Sequence, residues 1–195
     1  SKIFCNYLYD KFNFKVFFDN KHTGMIGNDM ASFVSFTTYI FNHGTFSLRQ
    51  QEKFITHIYA VLKTCRPKRQ LFSTLFITLI YLKSYHNVIY NGLRNKKYTI
   101  EELQSFILKI FPNNHGDLYL LNNIEANLIF FYNNYYSPTN SLLNYESKDI
   151  KLNIKALYDN ELLIRSLNVF VNNFYDYQHS SIEKLMDRIE LFSQD

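Results

Sequence analysis

Apolar residues recur at the spacing of one helix face over most of the chain from Ser47 onwards. The first clear case is the segment SLRQQEKFITHIYAVLKTC at 47–65, where Ser47 and Gln50 form a capping box ahead of the apolar stripe. Pro67 follows directly and marks the end of the run. The stripe includes Cys65, so the pattern predicts a helix that ends near Cys65 with the thiol buried.

The next segment, RQLFSTLFITLIYLKSYH at 69–86, is apolar around most of the helix circumference. Such a helix is typically surrounded by others, so we predict that it is the central helix of the fold. A second capping box, Thr99 with Glu102, opens a further helix that ends before Pro112. Three more helical stretches follow: one closed by Pro138, one for which a break near Asp159 and Asn160 is an option, and one opened by the box of Ser180 with Glu183.

The first 46 residues have a less regular pattern. The stretch KFNFKVFF at 11–18 alternates apolar and polar residues, which predicts a strand, and 20–29 has the composition of a turn. The stretch ASFVSFTTYIFNHG at 31–44 fits either a first helix or a second strand. We therefore predict a mainly α fold: a compact bundle of about six to seven helices around the central helix at 69–86, with a short N-terminal β-hairpin as an option. No repeat or linker divides it, so 1–195 is predicted to be a single domain.

Composition supports a folded chain, because 47% of the residues are apolar and 18% are aromatic. Asn, Ile, Phe, Tyr and Lys together make up nearly half of the chain, and this bias towards AT-rich codons indicates an AT-rich genome. The most apolar window, 71–82, is too short to span a membrane, and no secretory signal is visible. Two isolated cysteines give no disulfide framework, so we expect reduced thiols and an intracellular, cytoplasmic location.

Catalytic and metal-binding patterns are missing from the sequence. The six histidines are scattered, and neither a GxSxG elbow nor a glycine-rich phosphate loop is present. Cys65, flanked by basic residues, is the best candidate nucleophile, but the C-terminal end of a helix disfavours a thiolate. An enzyme with a dispersed site, such as a nuclease, would need an acidic cluster that the sequence does not supply. We expect a protein that is not an enzyme and that has no metal and no small-molecule cofactor.

Charge is distributed unevenly along the chain. Residues 1–112 hold 15 basic and 6 acidic residues, whereas residues 113–195 hold 6 basic and 11 acidic ones. The basic residues concentrate between 49 and 109, and six of them lie in two loops, at 66–69 and 91–98. If the helices run antiparallel, these loops lie at opposite ends of the central helix, about 25 Å apart. This predicts a basic face that docks on RNA or a ribonucleoprotein such as the ribosome. The predicted contact residues are Lys63, Arg66, Lys68, Arg69, Arg94, Lys96, Lys97 and Tyr98.

Aromatic residues near the basic loops could stack on unpaired bases, with Tyr85, Tyr90 and Tyr98 as candidates. Two other interpretations stay open. The basic half could simply dock on the acidic half, or the chain could be a protein–protein interaction module, a helical bundle with an apolar groove such as a viral or parasite host-interaction factor. Strong weakening of binding by salt would distinguish RNA docking from the apolar groove.

Overall fold

The computed structural model of the protein describes residues 2–18, 30–44, 46–65, 72–111, 118–136, 155–172 and 182–192. These ranges are mainly helical, as predicted, and contain ten helices and no strand. The helices are α1 (Lys2–Lys11), α2 (Lys15–Phe18), α3 (Met30–His43), α4 (Leu48–Thr64), α5 (Ser73–Tyr85), α6 (Asn87–Arg94), α7 (Ile100–Ile110), α8 (Leu118–Tyr136), α9 (Asn160–Asn172) and α10 (Ile182–Glu190).

Residue contacts group the chain into two compact units. The first unit comprises Ser1–Tyr90 together with Glu183–Asp195, and the second comprises Asn91–Ile182. The first unit therefore contains α1 to α5 and most of α10, and the second contains α7, α8 and α9. The prediction of one domain over 1–195 stays a prediction.

The apolar helix predicted at 69–86 exists as α5. Nine of its thirteen residues are buried, including every residue from Leu75 to Leu82, and α3 and α4 pack against it. This burial explains why the segment has no polar face, since neighbours on several sides remove apolar surface from water. Residues 69–71, which the prediction also included, lie outside the described ranges.

The strand predicted at 11–18 is wrong. The α1 helix continues to Lys11 and ends in a turn at Asn13, whose φ of 52° is a left-handed conformation that Asn tolerates. The amides of Asn13 and Phe14 donate to the carbonyls of Asp10 and Tyr9, so local bonds occupy the backbone groups that a strand would need. Phe14 is fully buried with its ring 4.3 Å from that of Tyr9.

The stretch at 31–44, for which a helix and a strand were both open, belongs to α3. The described residues also contain more helices than the predicted six to seven. The main reasons are that the first 46 residues supply three helices and that a corner at His86 separates α5 from α6.

The predicted helix starts are accurate where they fall on described residues. Ser47 and Gln50 form a reciprocal capping box, and so do Thr99 and Glu102. The α9 helix begins at Asn160, at the predicted break. The box predicted at Ser180 lies outside the described ranges.

In the second unit, α8 packs on α7 and α9, and a buried carboxylate on α8 holds the segment that precedes α9. Glu125 has no exposed surface and accepts hydrogen bonds from Gln104 Nε2, at 2.8 Å, and from the amide of Leu157, at 3.0 Å. Gln104 Nε2 also donates to the carbonyl oxygen of Lys155, at 2.9 Å. Three segments that are distant in sequence thus meet at one polar group.

Candidate nucleic-acid interface

A cleft of about 880 Å³ opens in the first unit between α4, the α5–α6 corner and the turn after α10. The side of α4 that lines it carries Arg49, Lys53, His57 and Ala60. These positions are three or four residues apart, so they follow one face of the helix. The cleft is therefore a direct product of helical spacing in α4.

The cleft carries more positive than negative charge. Arg49 and Lys53 are exposed, and neither forms an ion pair within the part of the chain that the structure describes. The other charged lining residues are neutralised: Lys83 Nζ lies 2.9 Å from Glu190 Oε1, and Glu52 accepts from Lys11 at 2.7 Å. Two uncompensated cations therefore remain, about 6 Å apart along the helix axis.

Two aromatic side chains that line the cleft differ in whether the ring packs against another ring. Tyr85 packs edge-to-face on Phe46 at a centroid distance of 4.8 Å and is half-buried. Phe192 is 43% exposed and has no ring partner among the described residues. The cleft thus presents one aromatic ring that is not already packed against another.

His57 lies in the same wall with its Nε2 atom buried and without a hydrogen-bond partner among the described residues. Burial lowers the pKa of His57, and the positive charges of Lys53 and Lys83 lower it further, although a hydrogen bond with the backbone of Ile189 opposes the shift. The ring is therefore neutral at neutral pH and adds a polar group without adding charge.

A second basic segment, Arg94 to Lys97, lies in the second unit. The amide of Lys97 donates to Gly92 O and that of Lys96 donates to Leu93 O, which is the bond pattern of a Schellman motif. Lys96 takes the left-handed position of this motif, with φ of 58°, where glycine is usual. The motif leaves the side chains of Arg94, Lys96 and Lys97 exposed.

Tyr98 follows this segment, but its ring is packed inside the second unit. It lies 4.7 Å from the ring of Phe106, and its backbone exchanges two hydrogen bonds with the hydroxyl of Tyr132. A Cβ atom added at Gly92 would overlap the Tyr98 ring, so Gly92 provides the space for it. Base stacking on Tyr98 stays a prediction, and it would require the ring to leave this position.

The other two residues predicted to stack on bases, Tyr85 and Tyr90, differ in their exposure. Tyr90 is fully buried and donates to the carbonyl oxygen of Met186, so the prediction that it stacks on a base is wrong. Tyr85 lines the cleft but is held by its ring neighbours. Aromatic content alone could not separate core rings from surface rings.

The first predicted basic loop is described only in part. Lys63 is exposed, with its Nζ 4.7 Å from the centroid of the Tyr59 ring. Arg66, Lys68 and Arg69 lie outside the described residues. The separation of about 25 Å predicted between this loop and the loop at 91–98 stays a prediction.

The structure places Cys65 at the end of α4, as predicted, where its amide donates to Leu62 O. The thiol is half-buried rather than fully buried, and it contacts the carbonyl oxygen of Val61 at 3.6 Å. Burial raises the pKa of Cys65, and the nearby Arg188 only partly opposes this. The group is therefore a thiol, not a thiolate, at neutral pH.

Within the described ranges, no three His, Cys, Asp or Glu side chains group closely enough to hold a metal ion. No helix in the same part of the chain has the length and apolarity needed to cross a membrane.

The cleft combines residues that sequence reasoning did not assemble into a site. The spacing of Arg49, Lys53 and His57 along α4 was a usable signal, because side chains four residues apart share a helix face. Phe192 gave no signal, since it reaches the cleft from more than a hundred residues further along the chain. Comparisons with protein families, curated proteins and solved structures found no match to this chain.

Proposed function

We propose that the chain is a non-catalytic RNA-binding protein whose basic face, within residues 49–109, docks on RNA or on a ribonucleoprotein such as the ribosome. The observation that carries the proposal is the pair of exposed, uncompensated cations, Arg49 and Lys53, along one edge of a cleft. Phosphate groups are the usual partners of such cations, and their contacts supply most of the affinity in sequence-independent binding.

The Schellman motif at Lys96 adds independent support. A non-glycine residue in the left-handed region costs about 1–2 kcal/mol, and glycine would avoid that cost. A contribution of the Lys96 charge to RNA binding would explain why a lysine, and not a glycine, occupies this costly position. A cation at the C-terminal end of α6 also interacts favourably with the helix dipole, but Arg94 already supplies one there.

The proposal is tested with charge-reversal pairs that change the net charge equally. One variant carries Arg49→Glu and Lys53→Glu, another carries Arg66→Glu and Lys68→Glu, and a control outside the basic face carries Lys2→Glu and Lys15→Glu. The control lysines are exposed and do not line the cleft. A glutamate at position 49 lies in the first turn of α4, where it suits the helix dipole, and position 53 is exposed, so the fold is expected to persist.

Binding is measured by fluorescence anisotropy with a labelled RNA of mixed single-stranded and hairpin structure. We expect the first two variants to bind at least about 10-fold more weakly than the control, and wild-type affinity to fall on the order of 10- to 100-fold between 50 and 200 mM salt. Equal weakening in all three variants would mean that only net charge matters. Absence of RNA binding at low salt would reject the proposal and favour the protein–protein interaction module.

A further inference from the structure

The shape of the cleft restricts what kind of RNA can enter it. Its volume of about 880 Å³ falls in the range of sites that enclose a ligand of drug size. A duplex is instead bound by shape across its grooves, over many base pairs, with its bases stacked inside. A concave site of this size is accessible to a nucleotide that has left the stack.

The lining groups supply the two contacts that such a nucleotide needs. Arg49 and Lys53 lie on the α4 side, where a phosphate can approach exposed cations. Phe192 lines the cleft from the turn after α10, with a partly exposed ring that has no ring partner in the described part of the chain. An aromatic face beside basic groups is the usual arrangement for gripping single-stranded RNA.

We infer that this cleft binds one unstacked nucleotide of single-stranded RNA, with its base on the ring of Phe192 and its phosphate on Arg49 and Lys53. The inference rests on the proposed function and specifies its ligand. It assigns the stacking role to Phe192 and not to Tyr85 or Tyr98, whose rings pack on Phe46 and Phe106. Tyr90 is fully buried.

The test compares three probes: a labelled single-stranded oligouridine, the same strand annealed to its complement, and inorganic polyphosphate, which has the charge but no base. The variants are Phe192→Ala, Phe192→Tyr and the pair Arg49→Gln with Lys53→Gln. Phe192 lies in an exposed turn, so its truncation is expected to leave the fold intact, which far-UV circular dichroism checks.

We expect Phe192→Ala to bind the single strand about 10-fold more weakly, because stacking on an aromatic ring contributes substantially to each bound base. The same variant should bind duplex and polyphosphate like wild type, and Phe192→Tyr should keep single-strand affinity. The Arg49 and Lys53 pair should weaken all three probes.

Different binding results would reject the nucleotide site and the proposed RNA-binding function. If the charge pair weakens binding but Phe192→Ala does not, or if duplex and single strand bind equally well, the cleft is only an electrostatic surface and the inference is wrong. If no probe binds to wild type at low salt, the proposed function itself is wrong.

Discussion

Glu125 provides a sharp test of what holds the second unit together. Its carboxylate is fully buried, has no basic partner among the described residues, and accepts from Gln104 Nε2 and the Leu157 amide. In Glu125→Ala, the Leu157 amide loses its acceptor, whereas Gln104 keeps its bond to the Lys155 carbonyl. A buried donor without a partner costs about 1–3 kcal/mol.

Glu125→Gln is the matched control, because its amide oxygen can accept the same two bonds without burying a charge. We therefore expect Glu125→Ala to be about 2 kcal/mol less stable than Glu125→Gln at neutral pH. With a typical urea dependence of about 2 kcal/mol per molar, the two midpoints should differ by about 1 M urea. Circular dichroism measures the midpoints, and hydrogen exchange at Leu157 should accelerate in the alanine variant alone.

The pH dependence gives a second, independent readout. Burial raises the pKa of Glu125 above its ordinary value, although the bonds from Gln104 and Leu157 oppose the shift. Because its pKa is raised, Glu125 binds its proton more tightly in the folded state than in the unfolded state. The protonated side chain therefore contributes to stability at low pH, and this contribution is lost as the pH rises through the folded pKa. Wild type should gain stability relative to Glu125→Gln when the pH falls from 7 towards 4.

Two results would refute this reasoning. Equal urea midpoints for the alanine and glutamine variants would show that the bonds to Glu125 do not hold the segment before α9. A wild type that loses stability relative to Glu125→Gln as the pH falls would show that the bonds, and not burial, dominate the pKa.

Three further substitutions test the local geometry. Gly92→Ala should lower the free energy of unfolding by about 1–2 kcal/mol, because the added methyl overlaps the Tyr98 ring. The loss should vanish when Tyr98 is also replaced by alanine. A loss that persists in this double variant would exclude the clash as its cause. Lys96→Gly should raise stability by about 0.5–1 kcal/mol in thermal unfolding by relieving the left-handed conformation, and a gain of the same size in Lys96→Ala would contradict this cause. Tyr9→Phe should lower the free energy of unfolding in urea by about 1 kcal/mol, because the Thr37 hydroxyl donates to Phe33 O and accepts from the Tyr9 hydroxyl at 2.7 Å. An unchanged urea midpoint would show that the bond adds nothing.

Sequence patterns predicted features that depend on neighbouring residues. The capping boxes at Ser47 and Thr99 were predictable because the partners are three residues apart, and α5 because its residues are apolar on all sides. The strand at 11–18 was mistaken because a Phe-rich chain produces short alternations by chance, and bonds to the end of α1 decided the conformation.

The candidate site was harder to predict because it depends on contacts between residues that are distant in sequence. Its α4 residues share a face that the sequence spacing indicates, but Phe192 joins them only through the tertiary fold. Likewise, nothing near Tyr98 in the sequence shows that Tyr132, 34 residues away, fixes its backbone. Exposure of a side chain, which decides whether it can bind a ligand, depends on such long-range contacts.

The membership of α10 in the first unit has a consequence for synthesis on the ribosome. Residues Glu183 onwards complete a unit whose other part ends at Tyr90, through the bonds of Lys83 to Glu190 and of Tyr90 to Met186. At about 5–20 residues per second, α10 emerges several seconds after the helices that it joins. The first unit is therefore incomplete while the second unit is translated, and Lys83 and Tyr90 cannot form their bonds to α10 during that interval.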